Sequence, residues 1–204
     1  SDRHEVAIAL MLCGFLGIGY EVAVVRIMAQ ILEGTLYSFA AVLLVYLVGT
    51  AVGAAVYQRF LSHRDSSKVR SWLAVTAAGA CTVGIGVLFH GGEVYRSLRR
   101  ALGDSVYAVS AAEMLIAIPV FLLPTMMMGG LFCHFAESSR HARGGIGWAL
   151  GMNTTGGVLA PAVVGIVLVP TFGAKWATAF LAWGYLLLIP RPWPLPRWLP
   201  VLPI

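Results

Sequence analysis

Long apolar stretches, separated by short charged segments, recur along most of the chain and constrain its fold more than any other feature. A helix that crosses the hydrocarbon core of a bilayer needs about 20 mostly apolar residues. Stretches that approach or exceed this length lie at residues 6–31, 36–57, 71–89, 106–135, 147–169 and 175–189. The sequence therefore predicts an all-α integral membrane protein, built as a bundle of about six transmembrane helices.

Composition agrees with this interpretation. Of the 204 residues, 59% are hydrophobic and 11% are charged, whereas about 25% of residues are charged in a soluble domain. We expect a single polytopic transmembrane domain over residues 1–189, surrounded by membrane lipids and leaving no room for a second domain of ordinary size. The formal net charge is +5, but Lys and Arg are scattered among the connections, so we expect no nucleic-acid partner.

Two segments differ from the apolar stretches. In residues 92–103, Val94, Leu98 and Leu102 recur at four-residue spacing with arginines between them, which predicts a short amphipathic helix on the membrane surface. In residues 190–204, every second residue from Pro190 to Pro196 is proline. Proline has no amide donor and breaks helices, so we expect an extended, proline-rich C-terminal tail.

The distribution of basic residues predicts an orientation. An even number of crossings puts both termini on one side, and cytoplasmic connections carry an excess of Lys and Arg. The side of the termini has the larger share: Arg3, Arg59, Arg64, Lys68, Arg70, Arg140, Arg143, Arg191 and Arg197, against Arg26, Arg96, Arg99, Arg100 and Lys175. We therefore expect a multi-pass membrane protein with both termini cytoplasmic, although the three arginines of residues 92–103 oppose this bias.

Four polar residues inside the apolar stretches form a candidate intramembrane polar site: Glu21, Arg26, Glu113 and Asn153. A charge at the bilayer centre costs roughly 2.5–3.5 kcal/mol, so such residues need a partner or a function. Glu21 and Arg26 are separated by roughly 140° around a regular helix and need not pair with each other. A structural ion pair or interfacial anchor, and a binding or proton-linked site, both remain open. For Asn153 the default role is hydrogen bonding between helices.

Small residues at four-residue spacing predict close helix packing. Gly49 and Gly53 form a GxxxG pair, Gly147 and Gly151 begin a second stripe, and Gly165 lies in a third. Small side chains let helix backbones approach closely in lipid. The stripes are compatible with packing inside one bundle and with contacts between subunits.

Signals for catalysis are missing from the sequence. Cys13, Cys81 and Cys133 lie in apolar stretches without CxxC or Cys/His spacing, so we expect buried free thiols and no metal. The chain has no GxSxG, HExxH, Walker A or CxxCH motif. We therefore assign no catalytic residue and no cofactor, and we lean against an enzyme for this chain alone without deciding the question.

Several segments in order resemble the membrane domain of bacterial membrane-bound spermidine synthase-like (polyamine aminopropyltransferase-like) proteins. They are residues 14–26 (GFLGIGYEVAVVR), 34–40 with the later Gly49 and Gly53, 123–129 (LPTMMMG), 151–156 (GMNTTG) and 169–173 (VPTFG). In that family the membrane domain typically precedes a soluble, Rossmann-like domain that binds decarboxylated S-adenosylmethionine. No segment here matches that domain, so the resemblance implies a membrane module of the bacterial inner membrane and transfers no catalytic residue.

Three functions follow as expectations. The first is a non-catalytic scaffold or accessory subunit that docks with partner subunits in a membrane complex. The second is the membrane half of a split spermidine synthase-like aminopropyltransferase. The third is a small transporter or channel for a polar or cationic solute, with Glu21, Arg26 and Glu113 on its path.

Overall fold

The computed structural model describes residues 3–31, 36–103, 105–141 and 145–190. These residues form helices joined by short turns, with no strand among them, which confirms the predicted all-α class. The predicted proline-rich tail lies, beyond Pro190, outside the described residues.

The helices follow each other closely along the chain. The α-helices are α1 (Arg3–Ile31), α2 (Leu36–Val56), α3 (Ser66–Phe89), α4 (Gly91–Leu102), α5 (Val106–Ala117), α6 (Leu123–His141), α7 (Gly145–Ala162) and α8 (Val169–Gly184). Wider π-helical turns extend α2 (Tyr57–Leu61), join α5 to α6 (Ile118–Leu122) and join α7 to α8 (Val163–Leu168), and a 3-10 turn, Tyr185–Leu188, ends the last helix.

Five helical stretches of the described chain are long and apolar enough to cross a membrane. They are Arg3–Gln30, Phe39–Leu61, Ser66–Phe89, Tyr107–Arg140 and Gly145–Leu188. The remaining helix is α4, which occupies the segment predicted to be amphipathic. Length and apolarity therefore support the membrane interpretation for every long helix in the described residues.

The last stretch reverses direction at Gly173, where φ is 79° and ψ is 157°. A Cβ built on Gly19 would lie 3.2 Å from Val164 and 2.9 Å from Leu181. A straight helix would separate these two residues, seventeen positions apart, by about 25 Å. The chain therefore forms two arms, residues 145–172 and 174–188, which correspond to the predicted fifth and sixth helices. Glycine suits the turn because it adopts positive φ without steric cost.

Helix α1 packs against both arms. Gly14 of α1 contacts Asn153, and Ile18, four residues later in α1, contacts Gly157, four residues later in the first arm. Helix α1 and the first arm therefore run parallel to each other. Gly184 contacts Leu16, while Leu181 contacts Gly19, so the second arm runs antiparallel to α1. Residue order thus brings Arg3 and the end of α8 to one end of the bundle, here called the Arg3 end. The other end, which carries α4, is called the α4 end.

Pro119 and Pro124 lie inside the apolar stretch 106–135, and because proline breaks helices we expect an interruption there. In the structure the helix continues instead, with a π-helical turn, Ile118–Leu122, between α5 and α6. Pro124 has no N–H to donate to the carbonyl of Val120, four residues earlier. The Tyr20 hydroxyl donates to that carbonyl instead, at 3.0 Å. A side chain from α1 therefore satisfies a backbone acceptor that the proline leaves without its usual partner.

Large side chains fill the centre of the bundle. Tyr20, Tyr185, Phe121 and Leu181 are almost fully buried, and they belong to one continuous apolar core. The three cysteines are free, as predicted; Cys13 and Cys81 are buried and Cys133 is half-buried.

Candidate functional site

A group of polar side chains lies at the Arg3 end, where α2 ends, α3 begins and α6 approaches its C-terminus. Its members range from buried (Tyr57 and His134) through half-buried (Glu137) to exposed (Ser66). It consists of Tyr57, Ser66, His134 and Glu137, here called the His134 cluster. Its central residue, His134, is only 3% exposed. Buried polar groups are costly unless they are hydrogen-bonded, so their arrangement carries information.

The hydrogen bonds of the cluster define one consistent arrangement of protons. The Tyr57 hydroxyl donates to Oε2 of Glu137 at 3.0 Å and lies 3.2 Å from Nδ1 of His134. Because that hydroxyl proton is already used, its oxygen accepts from Nδ1–H, and Nε2 is left as an acceptor. The Ser66 hydroxyl lies 3.5 Å from Nε2, and in this tautomer it is the donor of the pair. The result is a hydrogen-bonded series of side chains that runs from Ser66 through a neutral His134 imidazole and Tyr57 to Glu137.

Aromatic contacts hold the imidazole ring in place. The Tyr57 and His134 rings meet edge to face, with centroids 5.7 Å apart, and the Phe135 ring packs against His134 in the same way at 5.5 Å. Edge-to-face packing is the favoured geometry for such rings. These contacts restrict the orientation of the imidazole, and the cluster is built from the ends of helices rather than from a loop.

Recesses flank the cluster on several sides. One, of about 300 Å³, is lined by Tyr57, Leu61, Ser62, Arg64, Ser66, His134, Glu137 and Ser138. A second, of about 230 Å³, is lined by Glu5, Val6, Ala9, Ser66, Ser67, Arg70, His134, Phe135, Ser138 and Pro190. His134, Ser66 and Ser138 belong to both. A third, of about 210 Å³, shares Glu137. The cluster thus forms the polar wall between recesses that contain charges of both signs.

Arg70 connects this end of the bundle to the last helix. Its Nε donates to the carbonyl of Leu188, and its guanidinium group lies 5.1 Å from the centre of the Phe135 ring. Carbonyls at the end of a helix have no partner within the helix, so Arg70 satisfies one of them. The contact ties the end of the second arm to α3 and α6 beside the His134 cluster.

Asp65 fixes the start of α3 next to these recesses. Its carboxylate accepts from the backbone N–H of Ser67 at 3.1 Å and of Lys68 at 3.4 Å, as a helix N-cap does. The Lys68 ammonium lies 3.3 Å from the other carboxylate oxygen. Hydrogen bonds from the Lys68 side chain and backbone lower the pKa of Asp65, and these contacts stabilise its charged form.

The four polar residues proposed from the sequence are distributed over the bundle. Glu113 is 1% exposed in α5. Glu21 is half-buried in α1 and interacts electrostatically with Tyr46 of α2. Arg26 is exposed and donates to the carbonyl of Gly165 at 3.4 Å.

Their helix positions divide the four into two groups. Glu21 and Arg26 occupy the last third of α1, and Glu113 lies two turns into α5, so these three belong to the half of the bundle nearer the α4 end. Asn153 lies in the opposite half, where its backbone carbonyl packs against Gly14.

The glycine stripes differ from one another. Gly49 and Gly53 face α6, because a Cβ on them would meet Thr125 and Met126, respectively. Cβ atoms on Gly147, Gly151 and Gly165 would meet no atom of the described chain within 4 Å, so these three make no close helix contact there. Three further close approaches to a neighbouring backbone were not predicted as packing contacts: Gly14 against Asn153, Gly129 against Thr50 and Gly156 against Met11.

Sequence reasoning also missed the His134 cluster. Its members come from three helices and form no motif along the chain. One local signal was available: His134 and Glu137 are three residues apart near the end of an apolar helix, which places both on one face. Tyr57 and Ser66 join them only through tertiary packing.

The described residues contain no group of three or more His, Cys, Asp or Glu that could hold a metal ion. No protein-family model, curated protein or solved structure matches the chain. The fold and the site together define an all-helical protein with helices of membrane-spanning length and a polar, recessed surface at one end.

Proposed function

We propose that the chain is a non-catalytic membrane module of six crossings whose Arg3 end receives a protein partner. The observation that carries the proposal is the His134 cluster with its flanking recesses. Most of the helix flanks expose apolar side chains, whereas this end combines recesses, hydroxyl groups and charges of both signs. Interfaces between proteins use such pocketed surfaces with polar rims.

The packing at the centre of the bundle favours a scaffold function rather than a channel function. Tyr20 bonds the Val120 carbonyl there, and the Tyr185 and Phe121 side chains are completely buried. A conduction path needs polar, water-accessible side chains along its length. Close packing of large aromatic residues at mid-depth argues for a static module.

Basic residues support an orientation. Arg59, Arg64, Lys68 and Arg70 lie at the Arg3 end beside the recesses, and cytoplasmic connections are enriched in Lys and Arg. In our proposal the recesses face the cytoplasm of a bacterial inner membrane, where a soluble partner has access. The resemblance to spermidine synthase-like proteins favours a partner with an aminopropyltransferase-like domain, which makes the split enzyme a special case of docking.

Site-specific photocrosslinking in native membranes tests the docking proposal. A photoreactive amino acid at Arg64, on the rim of the recess of about 300 Å³, should give a crosslink to one discrete protein. The same amino acid at Leu43, which is 50% exposed on the flank of α2, should give only lipid products. Glu137→Gln, which changes the wall of the recess, should weaken the crosslink from Arg64. Identical products at both positions would contradict the proposal.

A second candidate, ion-coupled transport, rests on one observation, the burial of Glu113 in the half of the bundle nearer the α4 end. Ionisable residues at membrane depth often mark solute or proton paths. If this function holds, purified protein in vesicles takes up a labelled polyamine, and Glu113→Gln abolishes the uptake. Uptake that is equal in the variant, or absent in both proteins, would remove this candidate.

A further inference from the structure

Helix α4 is only partly covered by the rest of the protein. Tyr95 and Leu98 are half-buried and pack against the core, but Val94 and Leu102 remain 38% and 44% exposed. Part of the apolar side of α4 therefore faces outward, at the end of the bundle opposite to the His134 cluster.

The other side of α4 is strongly basic. Arg96, Arg99 and Arg100 lie within an arc of roughly 100° around the helix. Arg96 donates to the Gly92 carbonyl at 3.0 Å, and Arg99 donates to the Gly103 carbonyl at 3.2 Å, so both guanidinium groups lie along the helix surface. The single acidic residue of α4 leaves an excess of two positive charges on these twelve residues.

Neighbouring helices extend the basic surface. The Lys175 ammonium lies 3.9 Å from the centre of the Phe89 ring, and Phe89 is the last residue of α3 before α4 begins. Arg26, near the end of α1, is also exposed at this end. The α4 end thus combines an exposed apolar strip with a cluster of cations.

We infer that α4 lies in the membrane interface and binds the headgroups of anionic phospholipids. Val94 and Leu102 contact the acyl chains beside the bundle, while Arg96 and Arg100 contact lipid phosphates. Guanidinium groups suit this role because their paired N–H donors match two phosphate oxygens. The charge of the surface selects the ligand, since a zwitterionic lipid offers no net negative charge to attract it. The inference rests on the membrane location in the proposed function and is independent of any partner at the Arg3 end.

Photoactivatable lipids test the inference with site resolution. The protein is reconstituted with a phosphatidylglycerol or a phosphatidylcholine that carries a diazirine next to the headgroup, and labelled peptides are mapped by mass spectrometry. Labelling of residues 91–103 should favour the phosphatidylglycerol probe. In Arg96→Gln/Arg100→Gln this preference should fall about 25-fold, since each interfacial arginine contributes about fivefold in affinity. Arg96→Lys/Arg100→Lys should retain most of the preference.

Two controls distinguish anionic lipid bound at α4 from a general effect of protein charge. Arg59→Gln/Arg64→Gln removes the same charge at the opposite end and should leave the labelling of α4 unchanged. In the wild-type protein, about 1 M salt should reduce the preference for the anionic lipid, because it shortens the Debye screening length to about 3 Å. Equal labelling by both lipids, or a preference unaffected by the double glutamine variant, would overturn the inference. Loss of labelling in excess free inorganic phosphate at constant ionic strength would overturn it too, since the ligand would then be the free anion.

Discussion

The GxxxG pair of α2 offers the sharpest test of the packing. In Gly53→Ala the new Cβ would lie 2.6 Å from the carbonyl carbon of Met126 and 2.7 Å from its Cα, whereas ordinary contacts are at least 3.4 Å. These are backbone atoms of α6 and cannot rotate away, and the Met126 carbonyl oxygen would lie closer still, so the helices must separate by more than about 1 Å. A gap of about 1 Å already forfeits about half of each dispersion contact along the interface.

Overpacking of this kind costs about 1–3 kcal/mol of unfolding free energy, and each kcal/mol lowers the melting temperature of a chain of this size by about 2–4 °C. Thermal unfolding in mild detergent measures the change. The matched control is Gly151→Ala, where the Cβ meets nothing within 4 Å and the better helix propensity of alanine contributes about 0.5–1 kcal/mol in the opposite direction.

The two substitutions therefore differ in sign. If Gly53→Ala is as stable as the wild type, or if Gly151→Ala destabilises the monomer equally, the reasoning about helix separation is refuted. Size-exclusion chromatography of both variants checks that the oligomeric state is unchanged.

Three further substitutions test other contacts by melting curves. Tyr20→Phe removes the donor to the Val120 carbonyl and should cost about 1–3 kcal/mol; a loss below about 0.5 kcal/mol would argue against that bond. Tyr57→Phe removes the hydroxyl that donates to Glu137 and should cost a similar amount, with Ser71→Ala, whose hydroxyl donates to the Ser67 carbonyl of its own helix, as a near-neutral control. Asp65 has a lowered pKa in the folded protein, so its contribution is complete above its unfolded pKa of about 3.9 and is lost as the pH falls through the folded value. The difference between wild type and Asp65→Ala should therefore be constant from neutral pH to about pH 5 and shrink below about pH 4; a difference that grows on acidification would contradict this sign.

The helices were predictable because bilayer thickness imposes a length on each apolar stretch. The predicted range 6–31 corresponds to α1 and 92–103 to α4, within a few residues. The π-helical turn near Pro119 was not predictable, because proline position alone does not distinguish a broken helix from a widened one. In this chain Tyr20, far away in sequence, stabilises the continuous form.

The candidate site was harder to predict from the sequence than the helices. Gly53 and Gly151 have the same local pattern, yet only Gly53 packs closely against a neighbouring helix. Periodicity shows that small residues share one side of a helix, but it does not show which helix packs against that side. His134 and Tyr57 are 77 positions apart, and their contact depends on how α2 and α6 pack. The sequence predicted residues such as Arg26 as site candidates instead, because an isolated charge in an apolar stretch can be recognised without knowledge of the packing.

The parallel packing of α1 against the first arm has a consequence for the biogenesis of the protein. Arg26 and Gly165, which bond across this interface, are 139 residues apart, so α1 is synthesised long before the first arm leaves the ribosome. In the proposed membrane location, the glycine face around Gly14 must meanwhile remain covered by lipid or by the insertion machinery. Helix α1 is thus made before both of the arms against which it finally packs.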